Sequence, residues 1–139
     1  MIIITILVIQ MQTRNYSKKR EAILAKIRST MSHPTAEWVY HELKSEIPDL
    51  SLATVYRNIR LFKEEGEILS VGTVDGQERF DGTTSPHGHF VCTACAAVID
   101  FADRTEHAEV WDHLREQGFL VSRVDLVAYG TCEACLKTK

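Results

Sequence analysis

Three stretches in the first half of the chain carry apolar residues at helical spacing. Ile23, Leu24, Ile27 and Met31 fall on one face with Ser17 ahead of them as an N-cap, which predicts a helix from Ser17 to about Thr30. Thr35 precedes Ala36, Val39, Tyr40 and Leu43 and caps a second helix, ended by Pro48. Ser51 precedes a third, from Leu52 to about Glu65, with Leu52, Val55, Ile59 and Phe62 as its stripe and Gly66 as its stop. The helical period then gives way to strand-like runs. Ile68–Val74 and Gln77–Phe80 flank Asp75-Gly76, a dipeptide suited to a type I′ hairpin turn. Past the loop Gly82-Thr83-Thr84-Ser85-Pro86 the order becomes strand, strand, helix, strand. The predicted spans are His89–Cys92, Ala97–Phe101, Arg104 to about Gln117 closed by Gly118, and Phe119–Tyr129. This predicts an α+β protein with one part over 11–81, a hinge at 82–86 and a second part over 87–139.

Length and composition narrow the class. The 139 residues, 45% apolar and 25% charged, exclude a collagen, a disordered tail and a membrane bundle. The apolar run Met1–Ile9 is far shorter than the roughly 20 residues that span a bilayer. It has no basic residues ahead of it and no small-residue cleavage site after it, so it reads as a poor signal peptide. Either Met11 is the true start or the run forms an extra strand. With no convincing export signal the expected compartment is the cytoplasm, with no membrane partner. There thiols stay reduced, and the four cysteines read as metal ligands rather than disulfides.

The formal charge of −3 excludes a uniformly basic nucleic-acid binder but not a locally basic one. Residues 11–30 hold six basic residues against one acid, whereas residues 85–139 hold five basic and eight acidic. By itself the basic cluster is equally a solvated helix face. Three short helices followed by a hairpin, however, form the winged helix-turn-helix pattern, whose third helix enters the DNA major groove. The polar face of that helix carries Ser51, Thr54, Tyr56, Arg57, Asn58 and Arg60. Hydroxyls suit phosphate, Arg suits guanine and Asn suits adenine. Lys18, Lys19 and Arg20 of the first helix are expected along the DNA backbone. A helical scaffold without DNA binding is the alternative.

Two constellations carry metal chemistry. Cys92-x-x-Cys95 and Cys132-x-x-Cys135, with 36 residues between them, offer four thiolates to one tetrahedral Zn(II). Four ligands leave no open position, so this zinc is structural, and a part of about 55 residues needs such a staple. Two redox-active dithiols are the alternative, weakened by the lack of a βαβ context. The second constellation is His33, Asp81, His87, His89 and Asp100. His87 and His89, two apart on a strand, point to one face. Three nitrogens and two carboxylates suit Fe(II), Mn(II) or Zn(II) in exchangeable form. These ligands flank the 82–86 hinge, so metal binding can set the angle between the two parts. His41, His107 and His113 read as surface residues.

These residues together resemble the ferric uptake regulator (Fur) family. The resemblance runs from about residue 16 to 135. It rests on His33-Pro34-Thr35-Ala36, Ser51 to Asn58, Arg79-Phe80-Asp81, His87-Gly88-His89 and both cysteine pairs. It implies a winged-helix DNA-binding domain joined to a small α/β dimerisation domain, a homodimer, and repression at a palindromic operator. It implies structural Zn(II) on the four cysteines and regulatory Fe(II) or Mn(II) on His33, Asp81, His87, His89 and Asp100. Iron-sensing relatives usually carry Glu where Asp100 stands, and peroxide sensors carry Asp. In that branch hydrogen peroxide reacts with the bound Fe(II), one oxygen is added to His33 or His87, and the repressor leaves DNA. The chain departs from the pattern in three places. The residues usually found before Tyr16 are missing, which predicts a short first helix. Gly88 replaces an aromatic between the histidines and is expected to loosen the strand. Val124 stands where many relatives have a His, so no third metal site is expected.

No catalytic residue is assigned and no enzyme is expected. The alternative within the family is a reversible iron, zinc or manganese level sensor. Outside it stand a metal-dependent hydrolase, which lacks an obvious general base, and a zinc-stapled interaction module without DNA binding.

Overall fold

The structure, a computed structural model, describes residues 2–104 and 107–138, the side chains of residues 2, 7 and 10–17 apart. It divides into two compact units, Met1–Thr84 and Ser85–Lys139, and the division falls inside the 82–86 loop.

The first unit opens with helix α1, Ile2–Arg28. Ser17 is therefore inside a helix and not its N-cap, and neither the extra strand nor the short first helix is formed. The reason is visible in the chain: residues 1–33 contain neither Gly nor Pro, so nothing interrupts the helix once it forms. Ile23 and Ile27 are fully buried, whereas Met31 lies beyond the last turn and is exposed. Helix α2 spans Ala36–Leu43, with Thr35 Oγ1 accepting from Trp38 N at 3.1 Å. Helix α3 spans Leu52–Glu64, and Ser51 Oγ accepts from Thr54 N at 3.1 Å. Both N-caps are those expected. Pro48 falls in the turn between the helices, where Lys44 Nζ donates to Pro48 O and Leu50 O, each at 2.7 Å.

Strands β1, Leu69–Val74, and β2, Gln77–Asp81, pair antiparallel from Val74↔Gln77 to Leu69↔Asp81, with a bulge between Ser70 and Gly72. Asp75 and Gly76 both have positive φ, 51° and 78°, as the type I′ turn requires. Val39, Leu43, Val55, Ile59, Phe62 and Phe80 join the α1 isoleucines in one core. Burying each such side chain contributes about 1.5–3 kcal/mol.

The second unit holds β3, Gly88–Cys92, β4, Val98–Phe101, α4, Ala108–Glu116, β5, Val127–Gly130, and α5, Glu133–Lys137. The sheet order is β4-β3-β5, antiparallel between β3 and β4 and parallel between β3 and β5. Two expectations are corrected, and one element is new. Helix α4 starts at Ala108, after His107 in the left-handed region at φ 49°; positions 105 and 106 of the expected Arg104 start lie outside the described residues. The strand expected over Phe119–Tyr129 is confined to its end, because only from Val127, opposite His89, does it find a ladder partner within the unit. Leu120 is wholly exposed. Helix α5, which the sequence reading missed, grows out of the second Cys-x-x-Cys knuckle. Among the described residues of this unit the buried apolar side chains are Val91, Cys92, Val98 and Cys132, too few to hold it without a staple.

Candidate metal centres and nucleic-acid face

The two cysteine knuckles meet because β3 and β5 are sheet neighbours. Thr93 N donates to Gly130 O at 2.8 Å, which brings the chain after each strand to the same end of the sheet. Cys95 and Cys132 Sγ are 3.8 Å apart, and Cys92 and Cys135 Sγ 3.9 Å. A tetrahedral ion with metal–sulfur bonds of about 2.3 Å has ligand edges of about 3.8 Å. The four thiols therefore fit zinc. Cys132 N donates to Cys92 Sγ at 3.3 Å. That amide, helped by the Cys95 amide, lowers the Cys92 thiol to about 6. The Cys135 thiol is pushed up to about 12 because Cys132 and the other thiols crowd around it. A cation removes that conflict by favouring all four thiolates.

In the second unit, His87, just ahead of β3, and His89 within it stand beside Asp100 of β4, which is opposite His89 in the ladder. The two Nε2 atoms are 3.0 Å apart, and each is 3.3 Å from Asp100 Oδ1. Ligands at right angles around an ion with bonds of about 2.1 Å lie about 3.0 Å apart, so these three atoms match one face of a coordination shell. His87 Nδ1 lies 2.7 Å from Ser85 O. A carbonyl only accepts, so Nδ1 carries the proton and Nε2 keeps its lone pair for a metal.

In the first unit, His33 and Asp81 form a buried pair, 2% and 6% exposed, with Nε2 3.3 Å from Oδ2. Thr83 N donates to Asp81 Oδ1 at 2.7 Å, which leaves Oδ2 directed at the imidazole. Each of the five His/Asp residues thus sits beside another of the set within its own unit.

The family model for the ferric uptake regulator family matches residues 11–129. The chain belongs to this family. Its members are metal-responsive repressors that bind DNA as dimers, and the cysteine cluster and the histidine–aspartate groups of this Fur-family chain have the donor types that could hold metal. It is 38% identical over 121 residues to the peroxide operon regulator of Bacillus subtilis (strain 168), covering 86% of this chain and 82% of that one. It is 34% identical over 119 residues to the peroxide-responsive repressor PerR of Staphylococcus aureus (strain USA300), covering 84% and 79%. Among solved structures it resembles the Campylobacter jejuni peroxide stress regulator, with a TM-score of 0.74, 26% identity and 94% and 98% coverage. It also resembles the Pseudomonas aeruginosa ferric uptake regulator with manganese, with a TM-score of 0.61, 31% identity and 82% and 87% coverage.

On α3 of the Fur-family chain, Tyr56, Arg57 and Arg60 are exposed. Ser51 and Thr54 are engaged with each other at the cap, their hydroxyls 2.8 Å apart. Asn58 is a correction. It is fully buried, its Nδ2 donates to Thr54 O at 2.9 Å, and it cannot reach a base edge. It shares the inward side of α3 with Val55, Ile59 and Phe62. The basic residues of α1 differ in their surroundings. Lys18 is exposed, but Lys19 pairs with Asp49 at 2.9 Å. Arg20 pairs with Glu65 and lies 4.6 Å over the Phe62 ring.

The sequence reading missed four contacts around the candidate ligands: the Thr83 amide on Asp81, the Ser85 carbonyl on His87, Arg79 on the Ser32 and His33 carbonyls, and Phe101 over Gly88. Backbone groups leave no trace in residue identity. Arg79 stood in a quoted motif without a role. Gly88 stands inside the β3 ladder opposite Phe101 and is buried beneath that ring, which a Cβ there would meet at 2.3 Å. His107 is not simply a surface residue, since its Nε2 lies 2.5 Å from Asp103 Oδ2. His41 and His113 are exposed.

Proposed function

We propose that this chain is a peroxide-responsive, metal-dependent repressor of the cytoplasm that binds a palindromic operator as a homodimer. In this reading His33 and Asp81 from one unit and His87, His89 and Asp100 from the other share one regulatory Fe(II) or Mn(II). The loop from 82 to 86 is five residues long and spans at most about 18 Å, so the two ligand groups are closely tethered. A winged-helix domain over 11–81, a hinge at 82–86 and a metal-binding dimerisation domain over 87–139 complete the arrangement. The observation that carries the peroxide reading is Asp100, 3.3 Å from both histidines, at the position where iron-sensing members usually have Glu. The two peroxide regulators at 38% and 34% identity support it.

Fe(II) held there would pass one electron to hydrogen peroxide and take one back, so that one peroxide oxygen is added to an imidazole carbon and the other leaves as water. The chain's own residues decide where that oxygen is added. His87 offers an unprotonated Nε2 held by the Ser85 carbonyl, and His33 is held in a buried pocket against Asp81. Oxygen added to either ring removes a neutral nitrogen donor from the ligand set. Without that donor the remaining residues would hold the ion less tightly, and it would no longer tie the two ligand groups together.

The test loads the full chain anaerobically with Fe(II), adds about one equivalent of peroxide, maps oxygen additions by mass spectrometry and follows operator binding by gel shift. The expected result is one added oxygen on His33 or His87 together with loss of DNA binding. Unmodified histidines, with DNA binding that tracks added metal, make the chain a reversible metal-level sensor instead.

A further inference from the structure

We infer that Arg79 is a positioning residue for the regulatory metal: its guanidinium grips the backbone carbonyls of Ser32 and His33 and thereby aims the His33 imidazole at Asp81. The inference rests on the metal-site reading above and adds a residue that is not itself a ligand. His33 sits at φ 55°, in the left-handed region, and directly precedes Pro34. Proline biases the preceding residue toward extended backbone, so this conformation needs an external hold. The hold comes from β2. Arg79 Nε donates to His33 O, and Arg79 Nη2 donates to Ser32 O at 2.6 Å. The next residue, Phe80, donates its backbone N–H to Pro34 O at 3.0 Å while its ring is buried in the core. The residue after that is Asp81 itself. Three successive residues of one strand thus clamp the loop, anchor it to the core and supply the carboxylate that His33 faces at 3.3 Å.

The fork of a guanidinium suits this task, because two carbonyls on adjacent residues need two donors in fixed geometry. The sign of the effect separates positioning from charge. Removing a cation near a metal site would by itself strengthen metal binding. Loss of positioning weakens it, and supports of this kind change metal affinity by about 10–100-fold. His87 has its own anchor in Ser85 O, so the clamp acts on one histidine and not the other.

The experiment measures Mn(II) affinity in the zinc-loaded full chain, comparing R79A and R79K with the unsubstituted protein and repeating R79A on an H33A background. The expected results are a loss of about 10–100-fold in R79A, partial recovery in R79K, and no further loss when R79A is added to H33A. Fe(II) and peroxide treatment of R79A should also shift oxygen addition away from His33 relative to His87. That partition decides the matter if H33A holds too little Mn(II) to measure. Unchanged or tighter Mn(II) binding in R79A, an equal loss on the H33A background, or an unchanged His33-to-His87 partition overturns the inference. If the unsubstituted chain takes up no Mn(II) beyond its zinc, the metal-site reading fails and the inference falls with it. That outcome is distinguishable because it appears before any substitution is made.

Discussion

Neighbouring residues of α3 have opposite tasks. Tyr56 and Arg57 face solvent, whereas Asn58 is fully buried with Nδ2 on the Thr54 carbonyl and Oδ1 without a hydrogen-bond partner. Tyr56→Ala and Arg57→Ala are each expected to weaken operator binding by about 1–3 kcal/mol or more, while zinc content and dimerisation stay intact. Asn58→Ala should behave differently: a loss of about 1 kcal/mol in denaturant unfolding, with operator affinity per folded molecule unchanged. Asn58→Asp places a carboxylate in the core and should cost about 3 kcal/mol or more. Equal DNA loss in Asn58→Ala and Arg57→Ala at equal folded fraction would return Asn58 to the interface. The polar type of Asn58 suggested a base contact. Only the rotation of the helix about its axis shows that it faces inward.

At the scale of the element, strand β3 is the densest piece of the chain. It presents His89, continues into the Cys92 knuckle, and pairs with both other strands of its sheet. Gly88 opposes Phe101 in the β3–β4 ladder and lies under its ring. Gly88→Ala is expected to destabilise the second unit by about 1–3 kcal/mol through that collision. Adding Phe101→Ala should recover part of the loss, giving a non-additive pair in thermal unfolding. Full additivity would mean that the ring does not pack on the glycine. The same unit is expected to depend on zinc held by its four cysteines. Chelation should unfold it, read as loss of its sheet signal, while the α1–α3 core of the first unit persists. Zinc uptake must displace the Cys135 proton, held at about 12, so affinity falls as pH falls. Below about 6 the Cys92 thiolate also takes up a proton, and the slope of log affinity against pH should steepen by about one in chelator competition.

For the whole molecule, DNA binding is expected to depend on salt in proportion to the phosphates neutralised. Lys19 and Arg20 are partly buried in ion pairs on the first unit, and Arg60, though paired with Glu64, is well exposed, which leaves Lys18, Arg57 and Arg60 as the more accessible cations. Doubled in a dimer, these give a slope of log affinity against log salt of about −5. A flat response would remove the recognition helix from the interface. A markedly steeper one would mean that the Lys19 and Arg20 pairs, worth little as surface ion pairs, open to phosphate. No described helix is long and apolar enough to cross a membrane.

Much of this was legible in the chain because the signals are local. Thr35 and Ser51 cap their helices, Asp75-Gly76 turns the hairpin, and each Cys-x-x-Cys reads as a metal knuckle, since each depends on only a few neighbouring residues, whereas it is the pairing of β3 with β5 that brings the two knuckles together. The candidate ligands stood out for the same reason: imidazoles, carboxylates and thiolates are rare enough together that their types suggest metal chemistry. Ser17 misled because a polar residue flanked by helix formers looks like a cap, and only an unbroken helix back to Ile2 shows otherwise. The tertiary structure alone decided what depends on distant partners. It buried Asn58, tied Lys19 to Asp49, laid Phe101 over Gly88, withheld a strand from residues 119–126 for want of a ladder partner, and set Arg79 on the loop that carries His33. A sequence states which groups are present and how near they lie along the chain. Which of them meet across the fold is settled by packing, where a polar residue is turned inward or a glycine demanded by what arrives from elsewhere.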